Sequence, residues 1–139
     1  MAEESAEAAI QKVAFDTDVL IWYFRGNEKA RRFVARVPYA NRVISSLALM
    51  ELLQGCRAQQ EVQQVKAFIT ENIPIVLHPD EYICHTAIDL LEQHALSHGL
   101  RVVDALIAAT ALEAVCTLAT ANVRHYRVIA RLYLTPFRP

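Results

Sequence analysis

Glycine, lysine and cysteine are all scarce in this chain. Its 139 residues include only three Gly and five Pro, while 54% are hydrophobic and 21% charged, which excludes collagen-like, low-complexity and disordered classes. An excess of either charge is missing too. Fourteen Lys and Arg against fifteen Asp and Glu leave a formal net charge of −1, so no overall basic field marks a nucleic-acid binder. Eleven of the fourteen basic residues are nevertheless Arg, whose planar fork suits phosphate and carboxylate alike. Cys56, Cys84 and Cys116 are odd in number and widely spaced in apolar surroundings, without the pairing that zinc or redox work requires. They read as small buried hydrophobes in a reducing, cytoplasmic compartment.

No targeting segment is legible either. The opening "MAEESAEAAIQK" is acidic and has neither a basic nor an apolar region of a signal peptide, so residues 1–12 are expected to form a flexible lead-in to a single domain spanning 13–139. One run reaches the length of a membrane span: "ALIAATALEAVCTLATANV", residues 105–123, holds a single charge, Glu113. Its first half is rich in Ala and its second half is β-rich, so a buried helix followed by a buried strand is the better reading, and no membrane association is expected.

The rest of the pattern alternates. "VAFD" (13–16) is a short strand, "TDVLIWYF" a helix stopped by Gly26 and Asn27, and "NEKARRFVARV" an amphipathic helix ended by Pro38. "NRVISS" is a second strand whose Ser45 or Ser46 caps the helix "LALMELLQGC". Residues 59–72 are helical, "IPIVLH" is a strand that Pro74 assigns to an edge, and a long helix from about Pro79 stops at Gly99. "RVVDALIAATALEA" is helical, "VCTLAT" is a strand, and "YLTPFRP" supplies one more. Strands alternating with helices predict a three-layer α/β/α sandwich around a mostly parallel sheet. Ligands in such folds bind beyond the carboxyl ends of the strands, where Asp16, Ser45, Ser46 and Asn122 stand.

Carboxylates also occupy places where core residues belong. Asp16 sits in an apolar run, Glu51 interrupts "LALMELL" and Asp104 interrupts "RVVDALIAA". Each has an ordinary explanation: a helix N-cap for Asp16, a stripe of solvent contact for Glu51, a first-turn acid for Asp104. Taken together, three acids on largely buried elements resist joint ionisation unless a cation neutralises them. Without His or Cys companions they suit a hard, oxygen-loving ion, Mg2+ or Mn2+, and hence phosphodiester hydrolysis. Asp18, two residues after Asp16, falls at a helix start and needs no ion.

The stretches "VAFDTDVLIWYFRGN", "VISSLALMELLQG", "RVVDALIAATAL" and "LATANVRHY" resemble, in this order, the motifs of the PIN domain and specifically of VapC-type toxins. The resemblance covers residues 12–139. It implies that Asp16, Glu51 and Asp104 are the acidic, metal-binding and catalytic set, with Thr17, Ser45 and Asn122 as polar neighbours. It further implies a Mg2+-dependent endoribonuclease that forms a homodimer and is silenced by a VapB-type antitoxin lying across the active groove. Where many relatives carry a fourth acid after the Asn, this chain has Arg124 and His125, so one tightly held ion is expected rather than two. Arg25, Arg101 and His125 are candidates for contact with RNA or antitoxin.

Three other readings compete. "FDTDVL" satisfies the D-x-D core of haloacid dehalogenase-like phosphatases, but Lys66 is the only Lys after position 29 and no acidic pair follows. "HALSH" has one-turn His spacing but no glutamate between and no third ligand. A PIN-like protein that binds partners without turnover is the alternative of another class.

Overall fold

The computed structural model describes residues 10–139, so most of the expected lead-in lies outside the described residues. Among them are five short strands, β1 (Val13–Phe15), β2 (Arg42–Ser45), β3 (Ile75–Leu77), β4 (Thr117–Thr120) and β5 (Leu134–Pro136). Seven helices accompany them: α1 (Thr17–Phe24), α2 (Glu28–Arg36), α3 (Ser46–Gln54), α4 (Gln59–Asn72), α5 (Glu81–His98), α6 (Val102–Glu113) and α7 (Val123–Tyr126). The strands make one all-parallel sheet in the order β3-β2-β1-β4-β5, flanked by the helices. This is the α/β/α sandwich that the alternating pattern predicts.

Strand position follows composition. β1 is central, with Ala14 opposite Val43 of β2 on one side and Leu118 of β4 on the other, and all three of these residues are buried, as a strand covered on both faces requires. Pro74 immediately precedes β3 and Pro136 ends β5, and these two are the edge strands, where a residue that cannot donate a ladder hydrogen bond does least harm. Phe15 stands edge-on to Phe33, which in turn meets Phe137 with ring centroids 5.1 Å apart. The C-terminal segment is thereby tied into the same core as β1.

The long apolar run divides as its two halves suggest. Ala105, Ile107, Ala108, Ala109, Thr110 and Ala111 are all buried, so α6 is enclosed on nearly every side. The helix then closes with Cys116 N–H donating to Ala111 O and Val115 N–H to Leu112 O, the paired bonds of a left-handed helix terminus. Val115 takes the left-handed position at φ 55°, which delays β4 to Thr117 and shortens the strand expected from 115. No described helix is long and apolar enough to cross a membrane.

One open choice is settled and two expectations need correction. Ser45, not Ser46, caps α3, its hydroxyl accepting from Leu47 N–H at 3.2 Å. Helix α3 is not largely buried: Ser46, Ala48 and Leu52 face inward, but Met50 and Glu51 are exposed. Of the three cysteines only Cys116 is buried, and Cys84 is exposed, because the inner face of α5 is set by Ile83, Ala87 and Leu90 and position 84 lies about 100° away from 83.

Candidate functional site

The strand order places the site. From β1 the chain moves to β2 and β3 on one side, and from β4 to β5 on the other, so the direction of winding reverses between β1 and β4. The crevice beyond their carboxyl ends is where such sheets bind ligands. Asp16 and Thr120 stand at those two ends.

Asp16 extends the pairing of β1 with β4 through its own N–H, which donates to Ala119 O at 2.8 Å. Its side chain caps α1: Oδ1 accepts from Thr17 N–H at 2.9 Å. Its other oxygen, Oδ2, accepts from the hydroxyl of Thr120 at 2.9 Å. Asp18, in the first turn of α1, turns Oδ2 to the same hydroxyl at 3.3 Å and to Ala121 N–H at 3.1 Å. A hydroxyl has one hydrogen to give, so the two aspartates compete for it. Asp18 Oδ1 is buried and has no hydrogen-bond partner.

The electrostatics match this crowding. Burial pushes the Asp16 carboxyl from an ordinary 3.8 up to about 7, helped by the negative charge of Asp18 and to a smaller degree by Asp104, against the pull of the hydrogen bonds from Thr120 and Thr17. Burial also raises Asp18, opposed by its bonds to Ala121 and Thr120. The phenol of Tyr126 is raised by burial first and then by the charges of Asp16, Asp104 and Asp18, so it stays a neutral donor.

Asp104 lies in the first turn of α6 and is held from α7: His125 Nε2 is 2.9 Å from its Oδ2, and Tyr126 OH donates to its Oδ1 at 3.3 Å. Glu51 projects from the exposed side of α3 and accepts the Thr17 hydroxyl at 2.7 Å through Oε1. Thr17 thereby touches both Asp16 and Glu51. Two grooves meet at Glu51. One, of about 660 Å³, is lined by Ile21, Phe24, Arg25, Leu52 and Arg57; the other, of about 610 Å³, by Leu91, Leu100, Arg101, Val103 and Asp104.

Of the residues singled out in the sequence, Asp16, Thr17, Glu51 and Asp104 therefore surround one end of the sheet. Arg25 and Arg101 occupy the flanking grooves, Arg25 with its guanidinium 5.5 Å from the Trp22 ring centre. Ser45 is a buried cap, and Asn122 is exposed, its backbone N–H bonded to Thr120 Oγ1 at 3.0 Å. Three participants escaped the sequence reading. Asp18 does begin a helix, but it shares the Thr120 hydroxyl with Asp16 and belongs to the site. Thr120 is the last residue of β4, and the strand-exit rule that singled out Asn122 could have found it two positions earlier. Tyr126 carried no signal.

The donor chemistry fits a hard divalent cation in part. Asp16 and Asp18 offer oxygen ligands, one of them a buried oxygen without a partner, in a place where like charges suppress ionisation. Glu51 and Asp104 are instead drawn towards Thr17 and towards His125 and Tyr126. Among the described residues, no three Asp, Glu, His or Cys side chains group closely enough to hold a metal ion, and this includes the His94 and His98 pair of "HALSH".

A family model for the PIN domain matches residues 13–130. The chain belongs to the PIN domain family. PIN domains are in general nucleases, which puts the chain among hydrolases as a class. No curated protein matches it by sequence. Among solved structures, this PIN domain is similar to a toxin–antitoxin complex from Klebsiella pneumoniae (TM-score 0.77, 23% identity, covering 92% of this chain and 100% of that one). It is also similar to VapBC2 from Rickettsia felis bound to a promoter DNA fragment (TM-score 0.76, 19% identity, 91% and 98% covered). VapBC-1 from nontypeable Haemophilus influenzae gives TM-score 0.71 at 26% identity, with 89% and 96% covered. The PIN assignment sets aside the phosphatase reading of "FDTDVL".

Proposed function

We propose that this PIN domain is a Mg2+- or Mn2+-dependent endoribonuclease, the toxin of a VapBC-type pair, working as a homodimer and restrained by a VapB-type antitoxin. The observation that carries the reading is the Asp16–Asp18 pair on one Thr120 hydroxyl at the β1/β4 crevice, with Asp104 near enough to raise Asp16. The similarity to toxin–antitoxin structures over nearly the whole chain supports the partner.

Asp16, Asp18 and Asp104 would hold the ion, and Glu51 would reach it directly or through water. Bound there, the ion would supply charge stabilisation at phosphate oxygens and a more acidic water. The chain's own groups do the rest. Thr120 fixes the two aspartates on β1 and α1, and Thr17 keeps Glu51 turned towards them. Arg25 and Arg101, one in each groove beside Glu51, would engage the RNA backbone. An antitoxin segment laid along the same grooves would exclude RNA by occupying that path.

The test is cleavage of an RNA panel in Mg2+ and Mn2+ by wild type, Asp16→Asn and Asp104→Asn, with RNA affinity measured for Arg25→Glu. Wild type should cut and both Asn variants should lose at least ~100-fold in rate, the scale on which removing a single charge-stabilising group acts. Variants that cut like wild type sink the enzymatic reading, and unchanged affinity removes Arg25 from it. A second reading, a PIN-like binding protein without turnover, draws on the engagement of Asp104 and Glu51 by neighbouring side chains. RNA or antitoxin binding by a thoroughly purified wild type that cleaves nothing in the panel favours it.

A further inference from the structure

Helix α7 is a single turn, four residues long, shortly after β4, and its sequence suggests no role beyond a contact through His125. Two consecutive side chains of this turn nevertheless reach the same carboxylate, one on each oxygen: His125 Nε2 at Oδ2 of Asp104, 2.9 Å, and Tyr126 OH at Oδ1, 3.3 Å. The two rings also pack edge-to-face with centroids 5.3 Å apart, and Tyr126 is only 1% exposed, so neither donor is a loose surface group. Asp104 itself is half-buried, at the first turn of α6. With one donor its carboxylate could still pivot about the remaining bond; with a donor on each oxygen both side-chain torsions are set.

We propose that His125 and Tyr126 are positioning residues that clamp Asp104, so that the turn after β4 sets the aim of the site's third aspartate. The inference rests on the metal-dependent reading above. Groups of this kind, which touch a metal ligand rather than the metal, change metal affinity by 10–100-fold when removed, because they fix ligand orientation before the ion arrives. Asp16 and Asp18 are already fixed by Thr120 and the backbone of β4's exit. The clamp completes the same arrangement for Asp104 from the next four residues of the chain.

The experiment is calorimetric titration of the full chain with Mn2+ alone, without RNA, for wild type, His125→Ala, His125→Gln, Tyr126→Phe and Asp16→Asn, with a thermal unfolding trace of each to confirm folding. Wild type should bind, His125→Ala and Tyr126→Phe should bind about tenfold or more weakly, and His125→Gln, whose amide N–H stands where Nε2–H did, should stay near wild type. A purely structural role would move the unfolding temperature without this pattern of rescue. If His125→Ala and Tyr126→Phe bind as wild type does, or His125→Gln is as weak as His125→Ala, the clamp is overturned while the nuclease reading stands. If wild type shows no binding beyond that of Asp16→Asn, the metal-dependent reading falls and the clamp with it.

Discussion

Replacing Asp16 with Asn should make the metal-free protein more stable at neutral pH while weakening the site. Asp16 is 7% exposed, and its carboxyl is raised from 3.8 to about 7 by burial, Asp18 and Asp104. Between those two values the folded state holds a proton that the unfolded chain has released. Stability contributed by this group is therefore present below the unfolded value of 3.8 and is lost as pH rises through the folded value of about 7. A shift of this size corresponds to an upper limit of about 4 kcal/mol, and relaxation around the ionised group brings the expected loss to roughly 2–4 kcal/mol.

Asn removes the titration but keeps most of the bonds. Its Oδ1 can still cap Thr17 N–H, and its amide can donate to Thr120, whose hydroxyl is then free to donate to Asp18 Oδ2, now 3.3 Å away. Urea unfolding of both proteins in chelator, from pH 4 to pH 8, measures the difference directly. The advantage of Asp16→Asn over wild type should grow by ~2–4 kcal/mol across that range, and millimolar Mn2+ should shrink it by stabilising wild type alone. Stability curves that run parallel for the two proteins over the whole range would refute the account of Asp16 as an acid strained by its neighbours.

Two further substitutions probe the scaffold. Val115→Gly relieves a β-branched residue at φ 55° that is 64% exposed and buries little; a gain of about 0.5–1 kcal/mol, read as a rise of roughly 2–4 °C in Tm, is expected, and an unchanged or lower Tm would contradict it. Thr120→Val removes a fully buried hydroxyl serving Asp16, Asp18 and Asn122 N–H, at a cost of about 1.5–3 kcal/mol. Thr120→Ser should recover most of that in the same unfolding assay, and a Ser variant as unstable as Val would show that the methyl group, not the hydroxyl, matters.

Much of the fold was legible because it rests on local signals. Pro74 pointed to an edge, Gly99 to a helix end, and the change of character within 105–123 to a helix and a strand. Asp16, Glu51 and Asp104 stood out because each breaks an apolar pattern. What stayed hidden depends on pairings between distant segments. Thr120 reads as one more residue of a buried strand until β4 is laid beside β1, and Asp18 reads as an ordinary helix-start acid until the exit of β4 meets it. His125 and Tyr126 gain their meaning only from where α6 begins. The open side of α3 was missed because "LALMELL" is apolar all round, while the structure leaves both Met50 and Glu51 exposed.

The hydrogen bond from Thr120 to Asp16 joins residues 104 apart in sequence, and this has a consequence for synthesis. β1 leaves the ribosome early but must wait for β4 to emerge before its free edge is paired, since the intervening chain builds β2 and β3 on the opposite side. Contacts of such separation form slowly, after the local helices. Until then Asp16 and Asp18 sit on a nascent chain without the strand that gathers them, and a product interrupted before residue 120 never acquires it. The order in which the polypeptide is made thus delays assembly of the acidic site almost to the completion of the chain, leaving an interval in which the nascent protein exists without that site.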